Sequence, residues 1–228
     1  MKIERSISIT SILVALLTIN WIILLIILMK NSEPFFHSIE DALNFVKKPD
    51  IIFNLTYINV VLLTIADIIL FALLYLFLKQ KFPGLAMLGI IFIPIYGAYN
   101  LFCYISQISI VQQIQTIYNE PKYEEILNLV LGQLIQMWDK STIAFINNYA
   151  YAILGISSIF FGIALIKINK MGKVAGGFLI LSAIASILCI IGIISGNRIL
   201  MNGSLIGGIL FLCSLIPLAI MFWKEKSN

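Results

Sequence analysis

Six stretches of the chain are almost free of polar side chains: residues 7–29, 55–78, 85–108, 143–166, 174–195 and 201–222. Each is near the ~20 residues an α-helix needs to cross hydrocarbon, and continuous runs of that length are not barrel strands, which are about half as long and alternate in polarity. The pattern predicts one domain over residues 1–228, an all-α bundle of six transmembrane helices. The links Lys79–Gly84, Lys167–Lys173 and Ser195–Leu200 are short, so the helices they join are antiparallel neighbours. The first run is too long for a signal-peptide core, and Met29-Lys30-Asn31-Ser32-Glu33 offers no small-x-small cleavage site, so a retained anchor is expected.

The two longer connections carry patterns of their own. Ser38 is a candidate helix cap with Asp41 at the third helical position; Ile39, Ala42, Leu43 and Val46 then share a face opposite Glu40, Asp41, Asn44, Lys47 and Lys48, and Pro49 ends the segment. This predicts a short interfacial helix on the membrane surface. In the second connection Pro121 is a candidate helix start, with Leu127, Val130, Leu131, Leu134 and Trp138 on one broader stripe. Such helices either cover the ends of the bundle or gate a cavity opening there.

Composition agrees: the chain is 61% hydrophobic and 11% charged, with a mean hydropathy of +1.02. A soluble domain of this size could not hide that much apolar surface. Nine basic residues (Lys2, Arg5, Lys79, Lys81, Lys167, Lys170, Lys173, Lys224 and Lys226) cluster before the first run, in two short links and at the end, against Glu4 and Glu225. The other basic residues, Lys30, Lys47, Lys48, Lys122, Lys140 and Arg198, are mixed with eight acids over longer stretches. The positive-inside rule then places both termini in the cytoplasm. The net charge of +4 is an orientation signal, with the lipid bilayer as partner and no nucleic acid implied. Abundant Ile and Asn, with Lys preferred over Arg, fit a prokaryotic inner membrane.

Asp67 is the one formally charged side chain inside any of the six runs, and it sits at the middle of its own. A carboxyl at such a depth is expensive and marks a candidate functional position. Thr56, Val60, Thr64, Asp67, Phe71 and Leu74 lie near one line of the second helix, while Tyr96, Asn100, Cys103 and Gln107 form a stripe on the third, flanked by Tyr99 and Tyr104. Asp67 lies about 17 Å from the inner end of its helix, and an equal count up the third helix reaches Tyr96. Thr18 and Asn20 of the first helix stand near that level, and Pro94 is expected to kink the third or free a carbonyl. With no basic residue at that depth, Asp67 is expected to be neutral and hydrogen-bonded to Tyr96 or Asn100, since desolvation disfavours the charged form. The candidate ligand-binding residues are Asp67, Tyr96, Asn100, Thr64, Asn20 and Gln107.

Small residues mark packing faces: Tyr151, Gly155, Ser158 and Gly162 in the fourth run, then the pairs Gly172/Gly176, Gly192/Gly196 and Gly203/Gly207, with Pro217 expected to kink the last helix. Cys103, Cys189 and Cys213 all fall in apolar runs and read as core residues, and His37 as a loop residue. A phosphate loop, a zinc motif, paired haem histidines and a Ser-His pair are missing from the sequence, so no catalytic residue, metal or cofactor is assigned.

The stretch 53–79, with Ile65-Ala66-Asp67-Ile68-Ile69 ahead of an apolar tail, and the stretch 149–181, with Phe160-Phe161-Gly162, a Lys-rich turn and Gly172…Gly176-Gly177, resemble an uncharacterised bacterial membrane family, domain of unknown function 4386. The turn Lys170-Met171-Gly172-Lys173 departs from that family in carrying no Pro. The resemblance implies the six-helix fold and a membrane location, with an acidic residue at the position of Asp67, and it implies no activity. The expected role is therefore a small carrier or ligand-binding protein for a polar ligand or a proton. A packing subunit of a membrane complex, with Asp67 as a staple, is the alternative, and an intramembrane enzyme a more distant one.

Overall fold

The computed structural model describes residues 3–30, 36, 38–47, 49–117 and 124–224. Expectations for Lys2, His37, Lys48, Pro121, Lys122 and Lys226 lie outside these residues. Among the described residues there is no strand, and the helices are α1 (Ile3–Met29), α2 (Ile39–Lys47), α3 (Ile51–Leu78), α4 (Pro83–Ile90), α5 (Ile93–Ile108), α6 (Ile110–Ile117), α7 (Glu124–Leu134), α8 (Thr142–Ile166), α9 (Lys170–Ser195), α10 (Arg198–Met201) and α11 (Gly203–Lys224). Among the described residues six helical segments are long and apolar enough to cross a membrane; the third combines α4, α5 and the start of α6, and the sixth combines α10 and α11.

The six segments form a closed ring in chain order: α1 packs on α3, α3 on α5, α4 and α5 on α8, α8 on α9, α9 on α11, and α11 back on α1. Their inward faces meet in one apolar core, where the Phe71 ring lies 5.4 Å from that of Phe161 and 6.2 Å from that of Phe211. Helix starts are fixed by side-chain caps. Asp50 accepts from Phe53 N, Ser141 from Ala144 N and Asn169 from Gly172 N, satisfying amides that a helix start otherwise leaves unpaired.

Glycine and serine set the closest approaches. Gly162 of α8 and Gly176 of α9 pack backbone against backbone, and Gly155 lies over Ala183 in the same interface. Gly203 and Gly207 of α11 lie over α9 at Ala185 and Ser186, and Ser182 Oγ donates to Gly207 O at 2.7 Å. Gly196 behaves differently from the expected pairing with Gly192. It ends α9 in a left-handed conformation, φ +69°, with nothing within 4 Å of an added Cβ, so it is a C-cap and not a contact point. Pro217 lies inside a continuous α11.

The two ends of the ring differ. At one, the Lys-bearing turns meet: Lys167 Nζ lies 5.7 Å from the centre of the Phe82 ring, and Phe77 meets Phe222 edge-on at 4.8 Å. At the other, α2, α6 and α7 pack together as a cap, with Ala42, Leu43, Val46, Val111, Leu131, Ile135 and Trp138 closing over Phe53, Tyr57, Val60 and Tyr104. Ser38 and Asp41 make the expected reciprocal cap of α2, with Asp41 N donating to Ser38 Oγ and Ser38 N to Asp41 Oδ2. The apolar face of α2 points into the protein, so Ala42, Leu43 and Val46 cover the bundle and are not free to lie on lipid. The stripe expected on α7 is narrower than the sequence suggested. Val130 is exposed with Ile126 and Leu129, and Trp138 is buried from the loop beyond the helix end at Leu134.

Candidate functional site

The third span is interrupted where Asp67 needs a partner. Pro94 has no N–H to give the Ile90 carbonyl, and the helix breaks at Ile91 and Phe92 before α5 begins. At the break Ser157 Oγ of α8 donates to Gly89 O at 2.6 Å, taking the place of a lost intrahelical bond. Gly89 itself lies against the Phe161 ring, too close for any larger residue without a shift. The break thus anchors α4 to α8 and starts α5 afresh, with Tyr96 in its first turns facing α3.

Tyr96 Oη donates to Asp67 Oδ2 at 3.0 Å. One turn further toward the cap, Thr64 Oγ1 lies 2.8 Å from Asn100 Oδ1 and 2.9 Å from Val60 O, so one hydroxyl hydrogen faces two acceptors. All four side chains are buried: Asp67 is 4% exposed, Thr64 and Tyr96 1%, and Asn100 0%. Asp67 has no basic partner among the described residues.

Two of the residues expected here are elsewhere. Asn20 Nδ2 donates to Asn59 Oδ1 at 2.7 Å, and Asn59 Nδ2 donates to Leu17 O, which makes a separate α1–α3 contact; Asn59 faces round α3 from Asp67 and takes Asn20 with it. Gln107 belongs to the cap. Its Nε2 donates to Leu134 O at 2.8 Å and its Oε1 accepts from Gln136 N at 3.1 Å, because α5 carries it two turns beyond Asn100 to the loop after α7. Asn100 pairs with Thr64, leaving Tyr96 as the hydrogen-bond partner of Asp67. Thr18 is spent on Val14 O within α1.

Residues of α8 complete the polar seam. Tyr151 Oη and Tyr104 Oη are 2.9 Å apart, and the Tyr151 ring lies 6.2 Å from that of Tyr96. Asn147, one turn from Tyr151, is buried as well. The i, i+4 spacing of Asn147 and Tyr151 in an apolar run is a readable signal of this face, masked by the small residues Gly155, Ser158 and Gly162 that follow Tyr151 along α8.

Three buried polar atoms of the seam find no hydrogen-bond partner among the described residues: Asp67 Oδ1, Asn100 Nδ2 and Asn147 Oδ1. Turning the Asn100 amide over would exchange which of its atoms meets Thr64 and still leave one unpaired. Most buried polar side-chain atoms in proteins are paired, so three orphans on adjoining helices mark a place equipped to hydrogen-bond something further. No three His, Cys, Asp or Glu side chains gather to hold a metal among the described residues, and Cys103, Cys189 and Cys213 are free thiols. Comparison of the chain with family models, curated proteins and solved structures returns no match.

Proposed function

We propose that this chain is a small carrier or ligand-binding membrane protein whose buried site at Asp67, Tyr96 and Asn100 takes a proton or a small polar ligand. The observation that carries this reading is the half-satisfied carboxyl: Oδ2 has the Tyr96 hydroxyl, and Oδ1 has no partner. A residue serving only to staple helices would be better served as Asn, because polar contacts between membrane helices contribute only about 0.6 kcal/mol on average. A proton is the simplest ligand, and Asp67 carries it at neutral pH. The staple reading has its own support, since the Tyr96–Asp67 and Thr64–Asn100 contacts both join α3 to α5.

In this proposal the protein lies in the inner membrane of a prokaryote with both termini and the Lys-rich end in the cytoplasm. The segregation of Lys79, Lys81, Lys167, Lys170 and Lys173 from the capped end supports that orientation. The exposed Ile126, Leu129 and Val130 of α7 support an interfacial position for the cap. Membership of the domain of unknown function 4386 family is part of the same proposal and carries no activity with it.

The test is a difference titration of the detergent-purified protein and its Asp67→Asn variant. Binding predicts that the wild type releases one more proton per chain on raising the pH while the two have similar thermal stability. A staple predicts that this proton is released only when the protein unfolds, and a less stable variant.

A further inference from the structure

The seam does not stop at Asp67. Residues 96, 100 and 104 follow one another at four-residue spacing on α5 and so share a face, and Asn147 and Tyr151 do the same on α8. The Tyr104–Tyr151 hydroxyl contact ties these two faces together. Beyond it the Tyr104 ring lies 6.2 Å from that of Tyr57, whose Oη is 3.4 Å from Gln136 Oε1 in the cap. A line of polar groups therefore runs from the capped end to the middle of the bundle. Along it the unpaired atoms belong to Asn147, one turn along α8 from Tyr151, to Asn100, between Tyr96 and Tyr104 on α5, and to Asp67 itself.

Two phenolic hydroxyls in contact share one hydrogen and leave the other free to donate elsewhere. A hydroxyl can accept a proton on one side and release its own on the other; an amide holds a water in place without relaying. We propose that the α5–α8 seam is a proton relay, in which the Tyr104–Tyr151 pair passes protons between the capped end and Asp67 through water held by the Asn100 and Asn147 amides. For each transfer inward, a water at the capped end gives a proton to one hydroxyl of the pair. That pair gives one to the water at Asn100, which gives one to the Asp67 carboxylate. One O–H bond forms at Asp67, one breaks in the donor water, every intermediate group regains its starting state, and no electrons move. Buried water with two to four polar partners is an ordinary structural element, and the unpaired atoms supply those partners.

This relay rests on the reading of Asp67 as a proton site, and one experiment separates the two. The protein in liposomes is moved from H2O to D2O, and the Asp67 carboxyl C=O band, identified by its loss in Asp67→Asn, is followed by infrared spectroscopy. The relay predicts that Tyr151→Phe and Tyr104→Phe, which keep the rings, slow the deuterium shift of that band about tenfold, or ~1.4 kcal/mol in barrier. Gln107→Ala, which loosens the cap, speeds it. Wild-type exchange rates in both phenylalanine variants, or in whichever of them folds, together with no acceleration in Gln107→Ala, would overturn the relay while leaving the proton site intact. Absence of a protonated Asp67 band in the wild type would overturn both.

Discussion

A double-mutant cycle on Asp67 and Tyr96 measures the bond at the centre of the site and reports its charge state. Tyr96→Phe removes the one donor that reaches Asp67 among the described residues, a 3.0 Å contact between two buried groups, and leaves both carboxyl oxygens unpaired there. Asp67→Leu removes the acceptor and keeps the branching of the side chain, with two methyls in place of the carboxyl oxygens. The single change at Tyr96 is expected to destabilise by ~1–3 kcal/mol, the desolvation penalty of a buried polar group that loses its partner. The coupling is smaller. A neutral hydroxyl-to-carbonyl bond between membrane helices averages about 0.6 kcal/mol and reaches about 1.7. A bond to an ionised carboxylate would be worth ~1.5–3 kcal/mol. Reversible unfolding of the four proteins in mixed micelles gives the coupling directly. A value near 1 kcal/mol, unchanged between neutral and mildly acidic pH, is expected for a protonated Asp67. A coupling above ~2 kcal/mol at neutral pH that shrinks on acidification would refute the neutral state.

Packing and topology make further predictions. Gly176→Ala sets a methyl against the Gly162 carbonyl oxygen in the α8–α9 interface and should destabilise by ~1–3 kcal/mol, whereas Gly177→Ala, one residue on and facing open space, should be neutral or stabilise by up to ~1 kcal/mol in thermal unfolding. Gln107→Ala removes two hydrogen bonds to the loop after α7 and should lower the local stability of residues 134–141 by ~1–3 kcal/mol, read as faster amide exchange there with little change in the six long helices. Cysteine placed at Lys81 should be labelled by a membrane-impermeant reagent only after permeabilisation, and cysteine at Asn202 in intact cells; the reverse pattern would invert the proposed orientation.

The six apolar segments were legible because bilayer thickness imposes a length that no other structure satisfies. The meeting of Asp67 and Tyr96 followed from equal counts out from the short turn at Lys79–Gly84, since a tight hairpin fixes relative depth. Rotation about the helix axes was less legible. Asn20 stood at a plausible height, yet it faces Asn59, which lies round α3 from Asp67, and Gln107 shares the polar stripe of α5 yet lies two turns beyond Asn100, under the cap. The contribution of α8 was hidden for a different reason. Tyr151 shares its helix with Gly155 and Gly162, and a small-residue stripe draws attention to α9, while the hydroxyl points to Tyr104 on α5. Nor could hydropathy tell a helix on lipid from one on protein: α2 has the amphipathic pattern of the former and buries it in the cap.

The most direct test of the central claim is the infrared difference spectrum of the wild type minus Asp67→Asn at neutral pH. A protonated carboxyl C=O band, replaced by carboxylate bands only when the pH is raised while the helices stay folded, is the expected result. Carboxylate bands for Asp67 already present below about pH 6, in the range where an exposed aspartate is ionised, would contradict it.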